Sequence, residues 1–145
     1  MATQLNIPNF LTPSTDISTG GRAQPADLQQ AQAQGVQTVI NLCPISEDPG
    51  FDEAALVASL GMEYVNIAIA SAADLTPAKA RELSAALAAR RGPALVHCAS
   101  GNRVGALFAL KAHHVDGVAA EQAIEIGRAH GLKAMEPAVR QLLGI

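Results

Sequence analysis

ALVHCASGNRVGALFALKAHH, residues 94–114, begins as a short apolar run, turns through a loop of small residues holding one cysteine, and leaves as a patterned segment beyond an arginine. Ala94-Leu95-Val96 reads as a buried strand, because a continuous apolar run bounded by turn residues suits a strand covered on both faces. From Val104 onward the apolar positions recur at helical spacing and stop near Gly117. A strand passing straight into a helix is half of a βα unit. In open α/β sheets the carboxyl ends of the strands are where ligands bind.

Working outward, the same grammar recurs upstream. Pro25 opens "PADLQQAQAQ", which Gly35 stops before "VQTVINL" (36–42), and "DEAALVASL" ends at Gly61 before "MEYVNIAI". Thr76-Pro77, an N-cap followed by a proline at the first helical position, starts "AKARELSAALAARR", which Gly92 ends before "ALVHC". Three helix-to-strand units in series predict an α/β fold with a mostly parallel central sheet of about four to five strands flanked by helices. The C-terminal third reads as helical, with "VAAEQAIEIGRAH" stopping at Gly131 and Glu136-Pro137 introducing "AVRQLL". His113, His114 and His130 fall late in these helices, where they complement the carbonyl ends. The N-terminal "NFLTPSTDISTGG" reads as an edge strand and turn.

A length of 145 residues with 49% hydrophobic content suits a single domain over 1–145 with an adequate aliphatic core. Three Phe, one Tyr and no Trp leave few stacking surfaces, and a net charge of −3 gives no basic footprint, so no nucleic-acid partner is expected. No apolar run approaches the ~18 residues that span a bilayer, and the N-terminus lacks the layout of a secretory signal. The expectation is a cytoplasmic protein with no membrane partner. Two cysteines, Cys43 and Cys98, are too few for a disulfide scaffold and lack metal-ligand spacing, so neither metal nor cofactor is expected.

Backbone N–H groups in a small-residue loop at a helix N-terminus converge on an anion, and the same field favours a thiolate there. Cys98 is thereby a candidate nucleophile and Ala99, Ser100, Gly101 and Asn102 a candidate cradle. Arg103 adds a planar fork suited to two oxygens of a tetrahedral oxyanion. Gly101 permits a close backbone approach that a Cβ would block.

These residues carry a resemblance. "VHCASGNRVG" resembles the signature of the cysteine-dependent protein tyrosine and dual-specificity phosphatases, which is His-Cys, then five residues, then Arg and a hydroxyl residue. "GGRAQPADLQQAQAQGVQTVINLCPISED", "LGMEYVNIAIA" and "AIEIGRAHGL" are similar to dual-specificity-like domains, above all to the small bacterial branch described as phosphatase-like domains of β-lactamase-hydrolase-like proteins. The resemblance runs from about Ile17 onward. It implies a dual-specificity-phosphatase-like fold and hydrolysis of phosphomonoesters, either phosphoprotein or small phosphorylated metabolite, through a phosphocysteine intermediate. It assigns Cys98 as nucleophile, Arg103 as binder of the equatorial oxygens and His97 as an organiser behind the cysteine. Asp74 of "ASAADLTPAK" is the general acid that the resemblance implies, with Asp48 of "CPISEDPG" second. Cys43 resembles the strand-end cysteine that, in some members, forms a disulfide with an oxidised nucleophile.

There are departures from the signature. Only Ala99 to Asn102 separate Cys98 from Arg103, four residues where the signature has five, and Val104 stands where a hydroxyl is usual. The short loop resembles that of rhodanese-like sulfurtransferases, which would carry a persulfide on Cys98. The missing hydroxyl suits an inactive oxyanion-binding module.

Overall fold

The computed structural model describes residues 3–145. Its strands are β1 (Leu11–Ser14), β2 (Ile17–Gly20), β3 (Thr38–Asn41), β4 (Glu63–Asn66) and β5 (Ala94–His97). Its helices are α1 (Pro25–Ala33), α2 (Glu53–Ser59), α3 (Pro77–Ala89), α4 (Asn102–His114), α5 (Ala120–Ala129) and α6 (Glu136–Leu142). The five strands form one sheet in the order β1-β2-β5-β3-β4. Only the β1–β2 pair is antiparallel; β2, β5, β3 and β4 run parallel to their neighbours. The anticipated α/β fold with a mostly parallel sheet is the one observed.

Strand alternation divides the core between the two faces. Val39 and Leu95 pack with Leu28 and Ala31 of α1 and Val57 of α2. Their neighbours Ile40 and Val96 face the opposite way, into the larger cluster with Leu83 and Leu87 of α3, Leu107 and Leu110 of α4 and Ile124 of α5. Pro77 and the Thr76 side chain, whose Oγ1 accepts from the Lys79 N–H at 3.2 Å, start α3 where the sequence places it. His113 and His130 each set Nδ1 against a backbone carbonyl, that of Val118 at 2.9 Å and that of Ile126 at 2.7 Å.

The N-terminal reading needs correction. "NFLTPSTDISTGG" forms a hairpin of two strands, of which β1 alone is at the edge; β2 lies inside the sheet, parallel to β5. Its Ser18 and Thr19 are buried polar residues in a four-residue strand, and such a segment carries no hydrophobic signal of an interior position.

Helix α4 is the most enclosed helix, with Val104 through Leu110 all buried. Gly105 makes that possible, since a Cβ there would lie 2.0 Å from the Leu132 nitrogen and 2.6 Å from the Gly127 carbonyl oxygen. Strand β5 and helix α4 are thus the central strand and the central helix. The turn between them is held on every side. Among the described residues no helix is long and apolar enough to cross a membrane.

Candidate active site

β5 ends at His97 and α4 begins at Asn102, so Cys98–Gly101 alone make the connection. Gly101 sits at φ +90°, a left-handed conformation that L side chains resist, and this turn carries the chain from strand direction into helix direction within those few residues. The Gly101 N–H donates to Cys98 Sγ at 3.0 Å. The opposite edge of the same peptide, the Ser100 carbonyl, accepts from Asn9 Nδ2 at 2.7 Å. One peptide earlier, the Ala99 carbonyl accepts from the Arg22 N–H at 3.1 Å. Because a trans peptide points its N–H and C=O in opposite directions, anchoring both carbonyls to the N-terminal segment aims the amides back over the loop. Asn102 closes the frame, its Oδ1 accepting from the Lys133 and Met135 N–H groups at 2.9 and 3.2 Å.

Arg103 begins in the first turn of α4 and reaches across to the loops after β3 and β4. Its Nη1 donates to Glu47 Oε2 and to the Ile69 carbonyl, both at 2.8 Å, and Nη2 donates to Glu47 Oε1 at 2.9 Å. This is a bidentate fork on a carboxylate. The end of the guanidinium is occupied, whereas Nε takes no partner among the described residues. The Arg103 hydrogen bonds hold the Glu47 carboxyl below its usual range, and Glu47 in turn raises the guanidinium further. Cys43 lies in the same cluster, its Sγ 3.9 Å from Arg103 Nη2. Burial pushes the Cys43 thiol up to about 11.

Behind the loop, His97 Nε2 meets Glu53 Oε2 at 2.6 Å, and Nδ1 is 3.3 Å from the Cys98 carbonyl. Both side chains are buried, at 1% and 4% exposure. Glu53 is the first residue of α2, after the Asp52 N-cap that accepts from the Ala55 N–H. Beside Arg103 opens a cavity of about 500 Å³, whose walls include Asn41, Cys43, Glu47, Phe51, Glu53 and Tyr64.

The structure therefore brings together Cys98, the loop Ala99–Asn102, Arg103, His97 and Cys43. Asp74 lies in the segment between β4 and α3. It ends a short 3-10 turn (Ala72–Asp74), and its Oδ2 accepts from the Ala70 N–H at 2.8 Å, one residue from the carbonyl that Arg103 holds. Asp48 likewise accepts from the Gly50 N–H of its own turn. Both cysteines are free. Val104 is fully buried beside Cys98 in the larger core cluster. Sequence reading missed Glu47 and Glu53. Glu47 is one acid in a polar loop, and Glu53 reads as an ordinary first-turn helix acid; only the tertiary fold reveals their cationic and imidazole partners. Among the described residues no three His, Cys, Asp or Glu side chains are grouped to hold a metal ion.

Residues 9–114 match the family model described as "Beta-lactamase hydrolase-like protein, phosphatase-like domain". The chain belongs to this family. A beta-lactamase hydrolase-like protein of Agrobacterium fabrum is 31% identical over 120 residues, covering 79% of this chain and 27% of that protein. One from Xylella fastidiosa is 35% identical with the same coverage. The chain thus spans 27% of the length of these relatives. Among solved structures, kinase associated phosphatase (TM-score 0.68, 19% identity) covers 99% of this chain, with 98% of its own chain matched. Tk-PTP in its active form (TM-score 0.70, 16% identity) covers 94%, with 96% of its own matched. The PP-IP phosphatase SIW14 of S. cerevisiae, in complex with citrate (TM-score 0.65, 15% identity), covers 98%, with 88% of its own matched. These likenesses show a protein-tyrosine and dual-specificity-phosphatase-like fold. The β5–α4 turn thus lies in a fold shared with proteins described as phosphatases.

Proposed function

We propose that the protein is a cysteine-dependent phosphatase of phosphomonoesters that works through a phosphocysteine intermediate. The observation that carries this is the Gly101 N–H directed at Cys98 Sγ from a loop whose outer carbonyls are tied down, with Arg103 in the first turn of the adjoining helix. In the first step the Cys98 thiolate attacks phosphorus and the ester P–O bond breaks. The leaving oxygen takes a proton from a general acid, for which Asp74 is the proposed residue once its carboxyl turns from Ala70. In the second step water attacks the phosphocysteine, the S–P bond breaks, and inorganic phosphate and the thiolate are released. Loop amides and Arg103 hold the oxygens whose charge they stabilise in both transition states. Arg103 Nε is available without breaking the Glu47 fork. His97, pinned by Glu53, positions the Cys98 carbonyl.

The test is phosphate release from a generic aryl phosphate from mildly acidic to neutral pH, comparing the native protein with Cys98→Ser. The reading requires turnover that falls to the background rate in Cys98→Ser. A native protein no faster than the variant overturns it. The four-residue loop favours a second reading, sulfur transfer through a Cys98 persulfide, which thiosulfate-to-cyanide transfer would reveal in the same pair of proteins.

A further inference from the structure

The cavity beside Arg103 carries groups that the phosphoryl chemistry leaves unused. Glu47, Asp48, Asp52 and Glu53 all line it, and its lining includes no lysine or arginine. Glu47 is matched by Arg103 and Glu53 by His97, whereas Asp48 and Asp52 accept only from the backbone N–H groups of Gly50 and Ala55. The wall therefore presents four carboxyl groups and no basic side chain of its own. A second, independent feature lies in Glu53. Its side chain is 4% exposed, one oxygen is held by His97, and the other, Oε1, is buried without a hydrogen-bond partner among the described residues. A buried carboxylate oxygen with no donor is costly, and a donor delivered from the cavity removes that cost. Pro44, Ile45, Pro49 and Phe51 supply an apolar rim around this acidic interior, and Ile45 is 92% exposed there.

Position gives the pocket its meaning. Cys43 and Glu47 belong to its wall and both touch Arg103, so a molecule held by its phosphoryl group at Cys98 and Arg103 has this cavity as the neighbour of its other end. We propose that the cavity is a subsite for a hydrogen-bond-donating cation on a short apolar stem, making the favoured substrate an aminoalkyl or guanidinoalkyl phosphomonoester. The substrate assignment rests on the phosphatase reading; cation binding by the cavity does not.

The molecule carries its own reporter, because Tyr64 is its only tyrosine, there is no tryptophan, and Tyr64 lines this cavity. Native protein is titrated near neutral pH with n-butylammonium, n-butanol and butyrate while the tyrosine fluorescence is followed. The expected result is a saturable change with butylammonium, with butanol weaker by about tenfold and butyrate weaker still. Asp52→Asn keeps an N-cap oxygen and removes one charge, and is expected to weaken butylammonium severalfold. No change with butylammonium, or equal half-saturation by butanol, overturns the subsite. The substrate assignment is read separately, from kcat/KM for ω-aminoalkyl phosphates against ω-hydroxyalkyl phosphates of increasing chain length. A preference of about tenfold for the amine at one length supports it, and equal values at every length overturn it. A protein that binds butylammonium but releases no phosphate even from an aryl ester loses the phosphatase reading and keeps the subsite.

Discussion

Arg103 is held before any substrate arrives. Its Glu47 fork fixes the guanidinium plane, and in the phosphoryl transfer we propose, a prearranged cation avoids reorganisation at the moment charge develops on the phosphoryl oxygens. Glu47→Gln keeps the length but not the charge, and kcat/KM for an aryl phosphate is expected to fall by about tenfold. An unchanged value would show that the pair is only a surface contact. The pH sign is fixed by the Glu47 shift. A carboxyl lowered by Arg103 contributes its stabilisation fully above the ordinary carboxylate range, and that contribution fades as pH falls through the lowered value. From mildly acidic to neutral pH the fork stays closed, so Glu47→Gln should scale the rate without adding or removing a limb of the profile. Cys43 titrates the other way. With its thiol up to about 11, it is a poor attacker at neutral pH. If peroxide converts Cys98 to a sulfenic acid, with release of water, Cys43 thiolate attacks its sulfur, the S–O bond breaks and hydroxide leaves, giving the Cys43–Cys98 disulfide that we propose as a redox partner pair. Peptide mapping after peroxide should find this cross-link increasing as the reaction pH is raised from neutral toward 11. Absence of the cross-link at every pH would remove Cys43 from the site. Residue chemistry was only partly legible in the sequence. Cys98, Gly101 and Arg103 declared themselves because they are close in the chain, whereas Glu47 and Glu53 act over separations of 56 and 44 residues.

At the scale of elements, the β5–α4 turn works because its flanks are fixed by unrelated segments. Gly105 lets α4 approach the end of α5, and Asn102 takes the two N–H groups that follow it in the chain, at Lys133 and Met135. Gly105→Ala puts a methyl group against backbone atoms that cannot move aside as a side chain can. Denaturant unfolding should show a loss of about 1–3 kcal/mol or more. Stability equal to that of the native protein would mean that the two helices do not approach as closely as described. The helices were legible because caps are local: Thr76-Pro77 and Gly35 mark boundaries within a few residues of the observed ones. Strand lengths were less so. The apolar run 36–42 contains a strand of only Thr38–Asn41, because pairing with β4 and β5 determines its ends. Cys43 consequently falls in the loop beyond β3, where it can meet Arg103.

For the whole molecule, the sheet order explains why one turn gathers so many partners. β5 is central, with β2 and β3 on either side, so its carboxyl end is flanked by the segments after both neighbours: Gly21 and Arg22 on one side, Cys43 and Glu47 on the other. Repeated helix-to-strand units disclosed the parallel sheet, but not that β2 would enter it between β1 and β5. A polar hairpin of four-residue strands has no periodicity long enough to announce that position. The family relationship and the shared fold place the chain among phosphatase-like proteins, and the chemistry we propose turns on one atom of it, Cys98 Sγ. The direct measurement is mass spectrometry of protein quenched in acid during reaction with an aryl phosphate, followed by mapping of the peptide that contains Cys98. The expected result is a phosphoryl group on Cys98, absent from Cys98→Ser. A Cys98 that stays unmodified while phosphate is released, or that carries only sulfane sulfur after incubation with thiosulfate, would contradict it.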